Sequence, residues 1–277
     1  MPVSALILTA LLAWQGALPE QLVLSFITTD RKGKPVEDLQ PGEVQVVEND
    51  APRAIDKLEL DRRPLTVALV VDTSAGVGSF LRPDFVPAAV AFLQRLPPGS
   101  TFSVWATSDR PRQLVPDGAD VKAAEDALRG VAPFGNNAAV DTIIAASQDL
   151  AKVEGRRTAI VSVVSASMGD VSIDVGSELP KASMRPVYMV VEVIVGAQDA
   201  RLEDAVKSLT SRTGGFHERV FSAMAVEAQL RRVTDLLASQ YRAGYKPTAD
   251  PRTTKVAVKV TRKDTRTRMS QRLSLGW

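Results

Sequence analysis

Apolar residues follow two different rhythms along this chain. From about residue 65 to residue 245, short apolar runs alternate with amphipathic stretches whose apolar positions recur at helical spacing. On either side of that span, apolar and polar residues alternate singly, as in strands with one wet face. The first apolar run is the most informative. Leu65-Thr-Val-Ala-Leu-Val-Val71 is almost uninterrupted and stops on Asp72-Thr73-Ser74-Ala75-Gly76. Such a run suits a strand covered on both faces, the usual state of a central strand in a parallel sheet. It brings Asp72 to the carboxyl end of that strand, where open α/β sheets bind their ligands.

The pattern downstream predicts a helix from Phe85 to Leu96, with Pro87 early and Pro97-Pro98-Gly99 ending it. A strand from Thr101 to Thr107 follows, then a short strand from Arg112 to Val115, whose tight connection makes it an antiparallel edge. Helices are predicted from Val121 to Arg129, stopped by Gly130, and from Ala138 to Lys152. A buried strand from Thr158 to Val164 comes next, and then a weak helix broken by Pro180. The series closes with a strand from Val187 to Ile194, a helix from Ala200 to Ser211, a strand from Phe216 to Val220 and an amphipathic helix from Ala223 to Ser239. Alternation of this kind implies right-handed crossovers and a doubly wound, mainly parallel six-stranded sheet.

The flanks read differently. Leu22, Leu24 and Phe26 alternate with their neighbours, Glu43 to Glu48 forms a second strand, and Ile55 to Leu60 a third. Val256, Val258 and Val260 repeat that period, while Met269, Leu273, Leu275 and Trp277 share a face. Neither flank has apolar surface enough to stand alone, so the two are expected to pair in one small antiparallel β unit. The expected division is a signal peptide over 1–18, an N-terminal β unit over 19–62, an α/β domain over 63–246 and pairing strands over 247–277. The signal peptide rests on the apolar segment Val3 to Ala13, too short to span a bilayer and of the length of a signal core, with Gly16 and Ala17 after it; the alternative for the same segment is a buried N-terminal helix. It predicts export to the periplasm or the exterior, with no stable membrane span after processing.

Composition removes several function classes. The chain has 277 residues, 45% of them apolar and 24% charged, enough for one core with appendages. A net charge of +2 demands neither nucleic acid nor an acidic membrane. The basic run from Lys255 to Arg272 alternates with valines and reads as the wet face of a strand. With no cysteine, disulfides, thiolate catalysis and thiolate-held zinc are all excluded. The one histidine, His217, leaves a histidine metal cluster or a Ser-His-Asp triad without parts, and is read as structural.

Asp72 and Ser74, two positions apart before a flexible loop, are placed to turn oxygens towards one point, as hard cations require. Enzyme readings of the same residues fail on spacing. An aspartic-protease site needs a second Asp-Thr-Ser/Gly turn, which the chain lacks. An aspartyl phosphatase is expected to carry a second acid two residues on, where Ser74 stands. Gly76-Val-Gly78 has no third glycine at dinucleotide spacing.

Three segments together resemble a known family. The strand into Asp72-Thr-Ser74, the loop Pro133-Phe-Gly135-Asn-Asn137-Ala-Ala-Val-Asp141 opening a helix, and Ile160 to Ser165 running into a loop are similar to the metal-site segments of von Willebrand factor type A domains. The resemblance covers about residues 65–245. The flanking β unit, with Gln240 to Pro247, resembles an exported bacterial subgroup, the VWFA-related proteins known from acidobacteria. The resemblance implies a metal site from which ligands are missing. Asp72 and Ser74 match, but Gly76 stands in place of the second serine, Asn137 in place of a threonine and Ala166 in place of a loop aspartate. It therefore implies a non-enzymatic, adhesion-type protein-binding module with no cofactor. A protein partner would meet the loops carrying Ser74, Gly76, Asn136, Asn137, Ser165, Ser167 and Asp170. Two alternatives stay open: a Mg²⁺-dependent adhesion domain holding the ion through Asp72, Ser74 and Asn137, and a hydrolase using Asp72.

Overall fold

The computed structural model describes residues 18–165, 181–195, 200–250 and 253–275. The segment expected to be a signal peptide, the weak helix around Pro180, and Trp277 lie outside the described residues.

Six strands build the central sheet: β5 (Leu65–Val71), β6 (Thr101–Thr107), β7 (Pro111–Val115), β8 (Arg157–Ser165), β9 (Val187–Val193) and β10 (Phe216–Val220). Their order is β10-β9-β8-β5-β6-β7, parallel throughout except for β7, which runs antiparallel on the edge. Among the described residues five helices cover it: α1 (Val86–Gln94), α2 (Val121–Gly130), α3 (Ala139–Leu150), α4 (Ala200–Arg212) and α5 (Val226–Ala238). The two-faced strand explains the two cores. Leu65, Val67, Leu69 and Val71 pack with α1, α2 and α5, while Ala68 and Val70 pack with α3 and α4. All seven residues of β5 are buried, and each large apolar side chain so placed is worth about 1.5–3 kcal/mol.

The flanks form a two-layer sandwich around a third core. One layer joins β1 (Leu22–Asp30), β4 (Lys57–Leu60), β11 (Tyr241–Tyr245) and β13 (Thr265–Met269) in the order β13-β1-β11-β4, with β14 (Ser274–Leu275) also on β1. The other has the order β12-β2-β3, from β2 (Val44–Glu48), β3 (Ala51–Arg53) and β12 (Val256–Val260). Leu22, Leu24 and Phe26 face Val44 and Val46 across the interior, and the Phe26 and Tyr241 rings stack at 5.4 Å between centroids. N-terminal and C-terminal strands are thus hydrogen-bonded to one another in both layers.

One strand lies elsewhere than the sequence pattern suggests. Tyr241–Tyr245 falls inside the span expected for the α/β domain, yet it pairs with β1 and β4 in the sandwich. It follows α5 directly, and only long-range pairing decides which sheet it joins.

Candidate site at the carboxyl ends of the strands

Asp72 follows β5 directly and is fully buried. Its Oδ1 accepts from the Ser74 backbone N–H at 2.8 Å, which closes an Asx turn, and lies 3.3 Å from the Thr107 hydroxyl oxygen, whose proton goes to the nearer Asn137 Oδ1. Its Oδ2 accepts from Asn137 Nδ2 at 2.9 Å, from the Ser165 N–H at 2.8 Å and from the Ser165 hydroxyl. The carboxylate is therefore met by neutral donors from the ends of β5 and β8 and from the loop before α3. The bonds from Ser74, Asn137 and Ser165 are charge-assisted, and so stronger than neutral ones.

Asn137 is the keystone of this cluster. Its Oδ1 accepts from Thr107 Oγ1 at 2.8 Å, and its Nδ2 also donates to the Ser165 carbonyl at 3.1 Å. Those contacts fix the amide so that the nitrogen, and not the oxygen, faces Asp72. An amide nitrogen has no lone pair for a metal, so this arrangement does not fit a hard cation, which needs convergent oxygens. Among the described residues, no three acidic or histidine side chains gather as ligands. Ser74 Oγ is buried with no hydrogen-bond partner among the described residues.

The loop carrying Asn137 is itself anchored. Phe134 N–H donates to the Thr73 carbonyl at 3.2 Å, and Ala75 N–H to the Gly135 carbonyl at 3.1 Å. The Asn136 N–H donates to Asp109 Oδ1 at 2.7 Å, and Thr73 Oγ1 lies 2.9 Å from Ser108 Oγ. Gly135 has φ of 70°, and a Cβ there would sit 2.2 Å from the Asp109 carboxylate. The glycine thus supplies both the left-handed turn and the close approach.

Of the expected loop residues, Gly76 and Asn136 are exposed and Asn137 is half-buried, whereas Ser74 and Ser165 are buried. Ala166, Ser167 and Asp170 lie outside the described residues. Thr107, Ser108 and Asp109 were not singled out from the sequence. The available signal was the polar Thr-Ser-Asp at the end of β6, the strand adjoining β5. His217 sits on β10 with Nε2 2.8 Å from Glu192 Oε2, away from Asp72, in a cluster with Arg219 and Glu203. Around the Asp72 end of the sheet stand three exposed apolar side chains, Phe134 at 47%, Phe221 at 87% and Met224 at 80%.

No family model matches the sequence, and neither does any curated protein. A solved structure described as von Willebrand factor type A from Catenulispora acidiphila superposes with a TM-score of 0.54 at 12% identity, over 80% of this chain and 51% of that one. The fold is that of a von Willebrand factor type A domain. The match spans about half of that structure's own length. The SpRpn10 VWA domain gives a TM-score of 0.49 at 14% identity over 61% of this chain and 94% of that one. A conserved hypothetical protein, BatB, from Bacteroides thetaiotaomicron gives 0.45 at 16% identity, covering 62% and 98%. In this chain the type A fold carries an added β-sandwich built from both flanks.

Proposed function

We propose that this chain is a non-enzymatic protein-binding module of an exported bacterial protein, of the VWFA-related kind, which holds its partner through the loops at the carboxyl ends of β5, β6, β8 and β10 without a metal ion. The observation that carries the reading is the Asn137 amide seated on Asp72: the loops are braced by hydrogen bonds where a cation would otherwise brace them. Phe134, Phe221 and Met224 then offer exposed apolar contact on the same rim, the sort of surface that anchors protein interfaces. Among the described residues no helix is long and apolar enough to cross a membrane. The apolar segment 3–13 and the absence of cysteine support export to the periplasm or the exterior.

A hydrolase built on Asp72 is disfavoured by geometry, since both carboxylate oxygens are occupied by protein donors and the residue is fully buried. One observation favours a Mg²⁺-dependent reading, the buried Ser74 Oγ without a partner. The test is affinity capture from the native envelope fraction in EDTA and in Mg²⁺, with Phe134→Ser and Phe221→Ser in parallel. A partner retained in EDTA and lost from the variants supports the proposal. Retention by both variants, or a strict need for Mg²⁺, overturns it.

A further inference from the structure

Arginine accumulates at the opposite end of the sheet, where the amino ends of β5, β8 and β9 meet the sandwich. Arg63, Arg156, Arg157, Arg185 and Arg272 line a cavity of about 150 Å³ where, among the described residues, Asp61 supplies the only lining carboxylate. They arrive from separate places: the approaches to β5, β8 and β9, the start of β8 itself, and the tail between β13 and β14.

Asp61 is already committed. Its two oxygens take the Arg63 guanidinium at 2.9 and 2.6 Å, while Arg157 and Arg242 each stand 4.0 Å away. Glu59 approaches Arg242 at 3.6 Å. Arg156 donates to Thr66 Oγ1 at 2.8 Å and to the carbonyls of Leu65 and Gly99, and Arg157 donates to the carbonyls of Arg63 and Leu237. Carbonyls satisfy N–H groups but leave the positive charge uncancelled. Arg185 gives one N–H to the Ala151 carbonyl at 2.9 Å and meets no acid among the described residues. The Arg272 guanidinium has no partner among them. The Arg272 side chain is exposed overall, yet partial desolvation at the cavity, and then repulsion from Arg185, hold its guanidinium below its ordinary value. For Arg157, burial does the same against the pull of Asp61, with Arg63 and Arg62 adding to it.

Like charges gathered around a partly enclosed polar space repel unless an anion lies among them. Guanidinium groups match oxyanions best, because their planar forks present paired N–H donors. Hydroxyls of Thr158 and Ser270 add neutral donors to the wall. A cavity of this volume admits a guest of roughly five heavy atoms. We propose that it binds one phosphate-sized tetrahedral oxyanion, held chiefly by Arg185 and Arg272 and bridging the α/β sheet to the sandwich. A tetrahedral ion suits donors that come from several elements, whereas a planar carboxylate would engage one fork.

Calorimetric titration of the full chain with inorganic phosphate, at ionic strength held constant with chloride, tests this directly. The expected result is saturable binding at one site, with a melting temperature that climbs with phosphate by mass action. Arg185→Gln with Arg272→Gln should weaken phosphate binding about tenfold or more. In chloride alone that variant should melt no lower than the wild type, since it relieves repulsion, a sign that a purely structural role would reverse. Asp72→Asn, at the other end of the sheet, should bind phosphate as the wild type does. Phosphoserine distinguishes the source of the anion: tighter binding than inorganic phosphate marks a group carried by a partner, and weaker binding a free ion. Phosphate acting no differently from chloride, or a double variant that binds like the wild type, overturns the proposal.

Discussion

The Asn137 amide nitrogen lies 2.9 Å from the Asp72 carboxylate, and the Thr107 hydroxyl holds the other end of the same amide at 2.8 Å. One neutral side chain thereby ties together three loops, since Asp72 ends β5, Thr107 ends β6 and Asn137 precedes α3. The carboxylate and the amide are both held by protein partners, and only the Ser74 hydroxyl beside them is left unmatched among the described residues.

Replacing that amide by a second acid should invert the chemistry. Asn137→Asp puts two carboxylates face to face, which is expected to cost about 3 kcal/mol through repulsion and lost donors. Addition of Mg²⁺ should restore part of the loss by binding only the folded form. The melting temperature of the wild type should not respond saturably to millimolar Mg²⁺. Differential scanning calorimetry of both proteins in EDTA and in Mg²⁺ checks both halves, and a saturable rise in the wild type would contradict the amide-braced site.

Asp72→Asn retains the shape but removes the charge, and sets an amide donor against donors from Asn137 and Ser165. Urea unfolding should show a loss of about 1–3 kcal/mol. No hydrolytic activity should change with it. An esterase or phosphatase activity that disappeared in this variant would favour the hydrolase alternative.

Ending the chain after Pro247 removes β12, β13 and β14. That strips β2 of one neighbour and β1 of two, exposing ladder groups and apolar surface together. Limited proteolysis should then cut within residues 21–62 while the α/β layer survives. Continued protection of that segment would mean that the flanks do not depend on each other.

Acid should loosen the sandwich before the central sheet. Burial pushes the Glu48 carboxyl up, but hydrogen bonds from Thr248 and Arg53 outweigh it and leave it below 4.5. The hydrogen bond from Arg262, aided by the Gln40 N–H, holds Glu43 at about 2. Carboxyls depressed in the folded state contribute stability that is fully present above the unfolded value and fades as pH falls through the folded one. The window is therefore from about pH 4.5 down to about 2. Hydrogen exchange across that range should show β2 and β12 losing protection ahead of β5 and β8, and Glu48→Gln should flatten the dependence.

The central sheet was legible because both of its faces are apolar. Leu65, Val67, Leu69 and Val71 supply one core and Ala68 and Val70 the other, so the run could only be an interior strand. The edge position of β7 followed from its tight connection. Partner choice was not legible for Tyr241–Tyr245, whose local pattern suits any half-buried strand. Its place depends on Leu22 to Phe26, more than two hundred positions away in sequence. At the site, the approach of Asn137 to Asp72 was anticipated from the resemblance, but the inward role of Ser165 was not. A strand-end hydroxyl serves equally well against solvent or against a carboxylate. The same ambiguity concealed Thr107, which joins Asp72 only because β6 adjoins β5 in the sheet.

The position of β11 also determines when the molecule can be finished. It lies between β1 and β4, both of which are synthesised before the whole α/β layer. Residues 22–60 therefore leave the ribosome long before their central neighbour exists. They must wait without their ladder partner until residue 245 emerges, and β2 waits longer still for β12. Such long-delayed pairing is slow and leaves strand edges open to other chains. The export proposed above would gain from this order, because β1 and β4 stay without their central partner, and so threadable, until residue 245 has been made.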